Sequence, residues 1–242
     1  MSPTHTVVTG GASGIGAAVV EALLARGEQV TIFDLQPPLG ETLPAGVGFI
    51  KVDASDEDAV RDAVAQAEAE QGTVTGVVIC HGNRGLFVPA MEADLQHARK
   101  VFDIHVLGAL AVSREVVRRL EGRPASIVTV SSATAFGGWE KQADYGVAKA
   151  AVRQLTQNLA VEWASLGVRV NAVAPGNTLT PMVQAVIDSG SYDTAAVEKR
   201  TPMGRFAQPE EIATAILFLL LDATFVTGQC LAVDGGWTAV GE

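Results

Sequence analysis

The sequence is short of positive charge and of long apolar runs. Its 242 residues include 17 Lys and Arg against 27 Asp and Glu, for a formal charge of −10 at pH 7. Nucleic acid is bound largely through cationic side chains, and no basic run is present, so we expect no nucleic-acid partner. The longest apolar stretch, residues 212–221, is about half of the ~20 residues that a membrane-spanning helix needs. We therefore expect no membrane partner.

Cysteines and metal-ligand patterns are equally sparse. The two cysteines, Cys80 and Cys230, stand in apolar, strand-like runs, so we expect free thiols rather than a disulfide. No Cys or His spacing typical of a metal site occurs, and no metal is expected. Residues 1–6 run directly into an apolar strand without a cationic and apolar leader, so we expect a cytoplasmic protein.

Strand-like and helical segments alternate along the chain. This order predicts an α/β fold, a Rossmann-type doubly wound parallel sheet wrapped by helices. A chain of this length fits one such core, so residues 1–242 are expected to form a single domain. About seven strands are expected, at residues 7–9, 29–33, 49–52, 76–80, 126–130, 168–173 and 231–233.

Helical patterns fill most of the intervals between the strands. One helix is expected to begin near Ser55 and Asp58, which resemble a capping box, and to end at Gly72. Residues 177–205 have no sustained periodicity and are too long for a simple connection, which indicates a substrate lid. The other helices are expected at residues 14–26, 94–120, 145–166, ending at Gly167, and 209–221.

A glycine-rich turn at residues 9–16 stands between the first strand and the first helix. Glycines let the backbone turn tightly and approach a pyrophosphate, which a helix N-terminus attracts through its free N–H groups and dipole. Because strand, turn and helix occur in the required order, the turn predicts a dinucleotide site. The residues expected to contact the cofactor there are Gly10, Ser13, Gly14, Ile15 and Gly16.

Asp34 stands at the end of the second strand, with Leu35 beside it. A carboxylate at this place accepts hydrogen bonds from ribose hydroxyls and repels a 2′-phosphate, which favours NAD over NADP. No Arg or Lys in the glycine turn or directly after Asp34 would neutralise such a phosphate. Asp53 and Ala54, after the third strand, are candidates for contact with the adenine, although simple turn chemistry explains Asp53 nearly as well.

Tyr145 and Lys149 lie four residues apart in a predicted helix, so their side chains share one face. A neighbouring ammonium lowers the pKa of a phenol and favours the phenolate. The pair is therefore expected to transfer protons in alcohol or carbonyl chemistry. By itself this spacing favours a solvated surface pair, and only the rest of the chain reverses that judgement.

Taken together, these motifs resemble the short-chain dehydrogenase/reductase family, from about residue 7 to residue 237. The turn matches its T-G-x-x-x-G-x-G form, residues 145–149 match Y-x-x-x-K, and Ser132 lies thirteen positions before Tyr145. The resemblance implies hydride transfer at a nicotinamide, with Ser132, Tyr145 and Lys149 as catalytic residues. Tyr145 and Lys149 are also implied in cofactor binding, together with His81, Gly82, Pro175, Gly176, Thr178 and Thr180.

Two departures from the family pattern concern histidines. The family's N-N-A-G string appears here as residues 79–82, so an asparagine that usually tethers the central strands is missing and His81 stands nearby. His81 is expected to be packed or hydrogen-bonded rather than catalytic. His105 occupies the place of the fourth catalytic residue, an asparagine. We hypothesise that it joins a proton relay because imidazole titrates near neutral pH, the alternative being that it only supplies hydrogen bonds.

The substrate pocket is expected to be lined by small and aromatic groups with a few cations, including Arg84 and Phe87. This mixture favours a compact cyclic or carboxylated alcohol, and the chain is similar to NAD-dependent dehydrogenases of dihydrodiols such as 2,3-dihydro-2,3-dihydroxybenzoate. The residues expected to contact the substrate are Ser132, Thr134, Gly138, Trp139 and Met182.

Two other functions stay open at this point. A 3-oxoacyl-[acyl-carrier-protein] reductase usually takes NADPH, against which Asp34 speaks. A regulatory protein that binds NAD without turnover would have no need of Ser132, Tyr145 and Lys149. Family members are usually tetramers or dimers, so a homo-oligomer is expected.

Overall fold

The computed structural model describes residues 4–38, 43–190 and 192–240. Residues 1–3, 39–42 and 241–242 of the predicted domain and residue 191 of the predicted lid lie outside the described residues. The described chain forms a seven-stranded sheet in the order β3-β2-β1-β4-β5-β6-β7, and every neighbouring pair is parallel. The strands are β1 (His5–Thr9), β2 (Gln29–Asp34), β3 (Val47–Lys51), β4 (Val74–Ile79), β5 (Ala125–Val130), β6 (Val168–Pro175) and β7 (Cys230–Val233).

The inner strands are buried on both faces. The five residues of β1 are all buried, as are the first five of β5, because helices cover the sheet from each side. The strand order reverses direction between β1 and β4, and ligands of such folds bind in the crevice outside the carboxyl ends of the strands at that point. The predicted doubly wound α/β fold is confirmed.

Eight α-helices occur in the described part of the chain. One apolar cluster joins α2, α4 and α5 to one face of the sheet, and a second joins α1 and α8 to the other face. The helices are α1 (Gly14–Ala25), α2 (Glu57–Gln71), α3 (Leu95–Phe102), α4 (Gly108–Arg118), α5 (Tyr145–Trp163), α6 (Pro181–Asp188), α7 (Thr194–Arg200) and α8 (Pro209–Leu217).

The helical stretch expected at residues 94–120 is not one regular helix. A π-helical turn, Asp103–Leu107, separates α3 from α4. A π turn adds a residue without changing the general helical pattern of the sequence, so periodicity alone did not indicate it. His105 lies within this turn, and the interruption therefore falls at one of the predicted site residues. A second π turn, Phe218–Asp222, follows α8.

Two further expectations about helices were wrong. The helix α2 begins after Asp56, whose Oδ1 accepts a hydrogen bond from Ala59 N at 3.0 Å, whereas Ser55 hydrogen-bonds Asp53 instead. Ser55 and Asp58 therefore form no capping box. The predicted lid contains two short helices, α6 and α7, rather than irregular chain. Each begins at an N-cap side chain, Thr180 and Asp193 respectively, and these local caps outweigh the weak periodicity.

Other expectations agree with the structure. The cysteines Cys80 and Cys230 are free and half-buried. Gly167 ends the helical segment of α5 and its 3₁₀ turn in the left-handed conformation, with φ of 76°. In the described ranges, no helix combines the length and apolar character needed to cross a bilayer.

Candidate active site

The glycine turn packs against the ends of β1 and β4. A methyl group on Gly16 would collide with the Gly10 carbonyl oxygen, and one on Gly10 would lie 2.8 Å from His81 Cα. Ser13 caps α1 with extended backbone, but its side chain makes no capping hydrogen bond. The first N–H groups of α1 are therefore left to an outside acceptor. A phosphate group fits this position because a helix N-terminus attracts anions.

The Asp34 carboxylate is fixed beside this turn. Its Oδ2 accepts a hydrogen bond from Ala12 N at 3.1 Å, and its Oδ1 accepts one from Gln36 N at 3.3 Å. A carboxylate has about four lone-pair sites, so acceptor capacity remains for ribose hydroxyls. Leu35, the next residue, is half exposed. The residues at this corner thus fit the adenosine half of a dinucleotide.

Asp53 hydrogen-bonds within its own turn, as the alternative interpretation of this residue expected. Its Oδ1 accepts hydrogen bonds from Ser55 Oγ at 2.7 Å and from Ser55 N at 2.9 Å, and these bonds lower the pKa of the carboxyl. Ala54 is partly buried, and a methyl group on Gly108 would lie 2.9 Å from its carbonyl oxygen. Both residues lie at the carboxyl end of β3, where contact with an adenine remains a prediction.

The structure brings Ser132, Tyr145 and Lys149 together at the carboxyl edge of the sheet. Tyr145 is the first residue of α5 and hydrogen-bonds Ser132, which follows β5. Lys149 Nζ donates a hydrogen bond to Val130 O at 2.8 Å and lies 5.6 Å from the centroid of the Tyr145 ring. Lys149 is 5% exposed and Ser132 is 9% exposed, so the cluster is a buried site and not a surface pair.

Burial dominates the acid–base properties of this cluster. It raises the pKa of Tyr145 to about 12, and the hydrogen bond with Ser132 opposes this only in part. It lowers the pKa of Lys149 to about 8. Burial thus outweighs the expected effect of Lys149 on the phenol in this structure, and the part of Lys149 in ionising Tyr145 stays a prediction. Both charged forms lose hydration in the cleft, and the nearest hydrogen-bond partner of the ammonium is a neutral carbonyl.

His81 replaces the missing tether between the central elements. Its Nδ1 contacts Thr9 Oγ1 at 2.7 Å and its Nε2 contacts Ile104 O at 2.9 Å, so one ring joins β1 to the π-helical turn. Burial lowers its pKa to about 4, and the ring is neutral at pH 7. This agrees with the expected hydrogen-bonded role. Gly82, next in the chain, packs so closely on His105 that a methyl group there would collide with the imidazole ring.

His105 is 3% exposed and packs edge-on against Tyr145, with the ring centroids 5.4 Å apart. Its Nε2 lies 3.0 Å from Asn83 O and 3.3 Å from Asn83 N, so this nitrogen donates to the carbonyl in one tautomer and accepts from the N–H in the other. Nδ1 is buried and has no hydrogen-bond partner among the described residues. Burial, with the charge of Lys149, lowers the pKa of His105 to about 2. The expected titration near neutral pH is therefore wrong, because this enclosed ring stays neutral.

The segment after β6 faces the glycine turn across the crevice. Thr180 caps α6, and its side chain would lie 3.4 Å from a methyl group placed on Gly14. Thr178 Oγ1 donates a hydrogen bond to Gly176 O at 3.1 Å. Gly176 itself follows Pro175, the last residue of β6. The predicted cofactor residues thus line both sides of one crevice, as a dinucleotide requires.

The predicted substrate residues differ in their burial and in the groups that they contact. Thr134 is buried, and its backbone N donates to Ser132 Oγ at 3.2 Å. No described atom comes within 4 Å of a methyl group built on Gly138, and Met182 is half exposed at the start of α6. Trp139 stacks on Trp237 with the ring centroids 4.9 Å apart. The stack attaches the loop after Ser132 to the C-terminal segment.

Sequence reasoning missed three residues near the site. Asp144 accepts a hydrogen bond from Tyr145 N at 2.6 Å, and an aspartate directly before a predicted helix is a signal that could have found it. Trp237 and Arg200 were also missed. The Arg200 guanidinium lies 4.8 Å from the centroid of the Trp237 ring. No local pattern links these two residues to Trp139.

The crevice therefore combines a dinucleotide cradle with a buried serine and lysine and a half-buried tyrosine, an arrangement suited to nicotinamide-dependent oxidation and reduction. A search of the described ranges found no group of three or more His, Cys, Asp or Glu residues that could hold a metal ion.

Comparison with known proteins gives the family. The family described as enoyl-(acyl carrier protein) reductase matches residues 10–238. One relative is cis-4-hydroxycyclohexanecarboxylate dehydrogenase of Sinomonas cyclohexanicum, which is 39% identical over 97% of this chain and 96% of that protein. Another is 2,5-dichloro-2,5-cyclohexadiene-1,4-diol dehydrogenase of Sphingobium indicum, which is 37% identical over 99% of each chain. A solved short-chain type dehydrogenase/reductase from Mycobacterium ulcerans superposes with a TM-score of 0.91 at 34% identity, over 99% of this chain and 90% of that one. The chain belongs to the short-chain dehydrogenase/reductase family, whose members use a nicotinamide cofactor.

Proposed function

We propose that the protein is an NAD-dependent dehydrogenase that oxidises a small cyclic secondary alcohol or dihydrodiol, such as a compound like 2,3-dihydro-2,3-dihydroxybenzoate. The observation that carries this proposal is the buried cluster of Ser132, Tyr145 and Lys149 beside a dinucleotide cradle. The two relatives named above act on a hydroxycyclohexane and on a cyclohexadienediol, which supports a ring-shaped substrate.

Each residue of the cluster has one role in the proposed reaction. The bound nicotinamide supplies the hydride acceptor or donor, and its oxidised ring adds a positive charge. Ser132 hydrogen-bonds the substrate oxygen. Tyr145 takes the hydroxyl proton during oxidation and returns one during reduction. Lys149 contributes its charge to the phenolate and binds the nicotinamide ribose. Residues 177–205, with Met182, close over the substrate as a lid.

The domain organisation, cellular location and oligomeric state of the protein belong to the same proposal. We place residues 1–242 in one catalytic domain, in a cytoplasmic homo-oligomer, either a tetramer or a dimer. The family's reductases of 3-oxoacyl-[acyl-carrier-protein] are the main alternative, and the Asp34 carboxylate disfavours the NADPH that they usually take. A sensor without turnover is disfavoured by the enclosed Ser132, Tyr145 and Lys149 cluster.

A substrate panel tests the proposed reaction. We expect NAD reduction, followed at 340 nm, with cyclic secondary alcohols or dihydrodiols. Turnover of a 3-oxoacyl thioester with NADPH, together with no turnover of cyclic alcohols, would favour the reductase instead. Binding of NAD without turnover of any alcohol or ketone would favour the sensor.

Asp34 determines the cofactor in this proposal, and Asp34→Asn is expected to change the preference. Loss of the charge removes strong hydrogen bonds to the ribose and the repulsion of a 2′-phosphate, each worth about 1.5–3 kcal/mol. We expect kcat/KM with NAD to fall about tenfold and kcat/KM with NADP to rise at least as much. Asp58→Asn, on the exposed surface of α2, is the control. A wild-type protein that prefers NADP would contradict the assignment.

His105 is proposed as a neutral proton relay beside Tyr145. Its Nε2 meets both Asn83 O and Asn83 N, so either tautomer of the ring keeps a hydrogen bond there and the ring can hold its proton on either nitrogen without a stable charge. We expect His105→Asn to lower kcat about tenfold and to change the solvent isotope effect, with NAD affinity retained. His97→Asn on α3 is the control. Unchanged kcat and an unchanged pH–rate profile would leave His105 as a packing residue only.

A further inference from the structure

Arg84 places a cation at the edge of the active site. It lies in the segment that follows β4, and its guanidinium carbon is 4.7 Å from the centroid of the Phe87 ring. With the residues that the structure describes it forms no hydrogen bond and no ion pair. The ring supports the guanidinium by cation–π attraction, which leaves the N–H donors available. Arg84 is exposed, so its guanidinium is open to a ligand from outside the chain.

The chain around Arg84 is attached to the catalytic helix. Leu86 N donates a hydrogen bond to Asp144 Oδ2 at 3.0 Å, and Asp144 caps the helix that begins at Tyr145. A methyl group on Gly85 would lie 2.9 Å from Tyr145 Cβ, so the backbone next to Arg84 touches the catalytic tyrosine. Phe87 has a φ of 56°, in the region that non-glycine residues rarely adopt. The surrounding contacts therefore hold Arg84 and Phe87 in a defined place.

The lid approaches Arg84 from the other side. Burial raises the pKa of Tyr192, and the charge of Arg84 opposes this rise, so the two side chains are within electrostatic reach. Tyr192 OH donates a hydrogen bond to Asn177 Oδ1 at 2.7 Å. Asn177 Nδ2 is buried without a hydrogen-bond partner among the described residues, which leaves a second free donor on this wall. Arg84 thus stands in a segment that packs against the Tyr145 helix, and its charge acts on Tyr192 of the lid.

Resting on the proposed function, we propose that Arg84 binds an anionic group of the substrate, and that the substrates are cyclic secondary alcohols carrying a carboxylate remote from the reacting hydroxyl. Ser132 and Tyr145 would hold the hydroxyl, and the guanidinium would hold the carboxylate through paired N–H···O bonds. Asp144, at the start of the catalytic helix, already accepts bonds from Leu86 N and Tyr145 N. The unpaired cation therefore favours a substrate anion over a second carboxylate of the chain.

Two substrates of equal shape and different charge test this proposal. The ratio of kcat/KM for cis-4-hydroxycyclohexanecarboxylate to that for its carboxamide is measured in the wild-type protein, Arg84→Met, Arg84→Lys and Arg99→Met. We expect a ratio of about 10–100 in the wild type, carried mainly by KM and reduced by salt. The ratio should fall to within about twofold of unity in Arg84→Met and be intermediate in Arg84→Lys. Arg99 lies exposed on α3, and its variant should keep the wild-type ratio.

Direct binding separates this proposal from the proposed function. The dissociation constants of cyclohexanecarboxylate and cyclohexanecarboxamide are measured by calorimetry on the NAD-loaded protein, a readout that needs no turnover. Tighter binding of the carboxylate, lost in Arg84→Met, would support anion recognition even if no alcohol were oxidised, in which case only the proposed reaction would fail. Equal binding of the two compounds, or equal losses of affinity for both in Arg84→Met, would overturn the proposed role of Arg84. In that case turnover of neutral cyclic alcohols would still support the proposed dehydrogenase activity.

Discussion

Tyr145→Phe is expected to lower kcat about 10³-fold while NAD affinity changes only a few fold. The variant removes one oxygen from a ring that is fixed by the start of α5, by its edge-on contact with His105 and by Lys149. Proton transfer by a positioned side chain contributes typically 10²- to 10⁴-fold to a rate, and the Tyr145 hydroxyl is the group that interacts with Ser132 here. The loss therefore concerns the chemical step. It is measured as kcat with a cyclic alcohol and as NAD affinity by calorimetry.

Tyr192→Phe is the matched control, since Tyr192 is the other of the two tyrosines in the chain. It removes a hydroxyl that hydrogen-bonds Asn177 in the lid, and we expect less than a tenfold decrease in kcat. A Tyr145→Phe protein with wild-type kcat would show that another group transfers the proton, and the proposed mechanism would have to be abandoned.

Lys149→Met is expected to change activity and stability in opposite directions. We expect kcat to fall about 10²-fold, because the phenolate loses its neighbouring ammonium. The free energy of unfolding at pH 7 should rise by about 1 kcal/mol, or Tm by about 2–4 °C. Burial lowers the pKa of Lys149 to about 8 from 10.5, so its charged form is held in the cleft at a cost in stability. Loss of the hydrogen bond to Val130 O offsets part of the gain.

The pH dependence of this difference identifies its cause. Because the folded-state pKa of Lys149 lies below the unfolded value, the unfolded chain binds more protons between about pH 8 and 10.5, and wild-type stability gains from rising pH there. The methionine variant has no such gain, so its advantage should shrink through this window and vanish above it. Chemical denaturation at pH 7, 9 and 10.5 measures this, with Lys100→Met on α3 as control. A variant that is less stable at pH 7 would contradict the burial argument.

The local pattern of the sequence was sufficient for most of the fold. Strand β5 was expected at residues 126–130 and spans Ala125–Val130, and α5 begins at Tyr145 as predicted. These agreements arise because apolar periodicity and glycine stops act over a few residues. The π-helical turn at Asp103–Leu107 and the helices of the lid escaped this reasoning, since their signals are as short as a single turn.

The features of the candidate site likewise fall into those that local sequence predicts and those that depend on the whole fold. The i,i+4 spacing placed Tyr145 and Lys149 on one helix face, and the order of strand, turn and helix placed the glycine cradle next to Asp34. The pKa directions of Tyr145 and Lys149 could not be read in this way. They depend on how much water the rest of the chain excludes, and burial proved to outweigh the expected effect of one charge on the other.

The sequence by itself determined the class of this protein, because a parallel sheet, a phosphate-binding turn and a tyrosine–lysine pair are each specified by residues close together in the chain. Only the tertiary structure decided that His81 joins Thr9 to Ile104, that Trp139 stacks on Trp237, and that the segment of Arg84 packs against the start of the catalytic helix. These contacts join residues far apart in sequence, and their partners are fixed by packing of whole elements, which no local period or motif encodes.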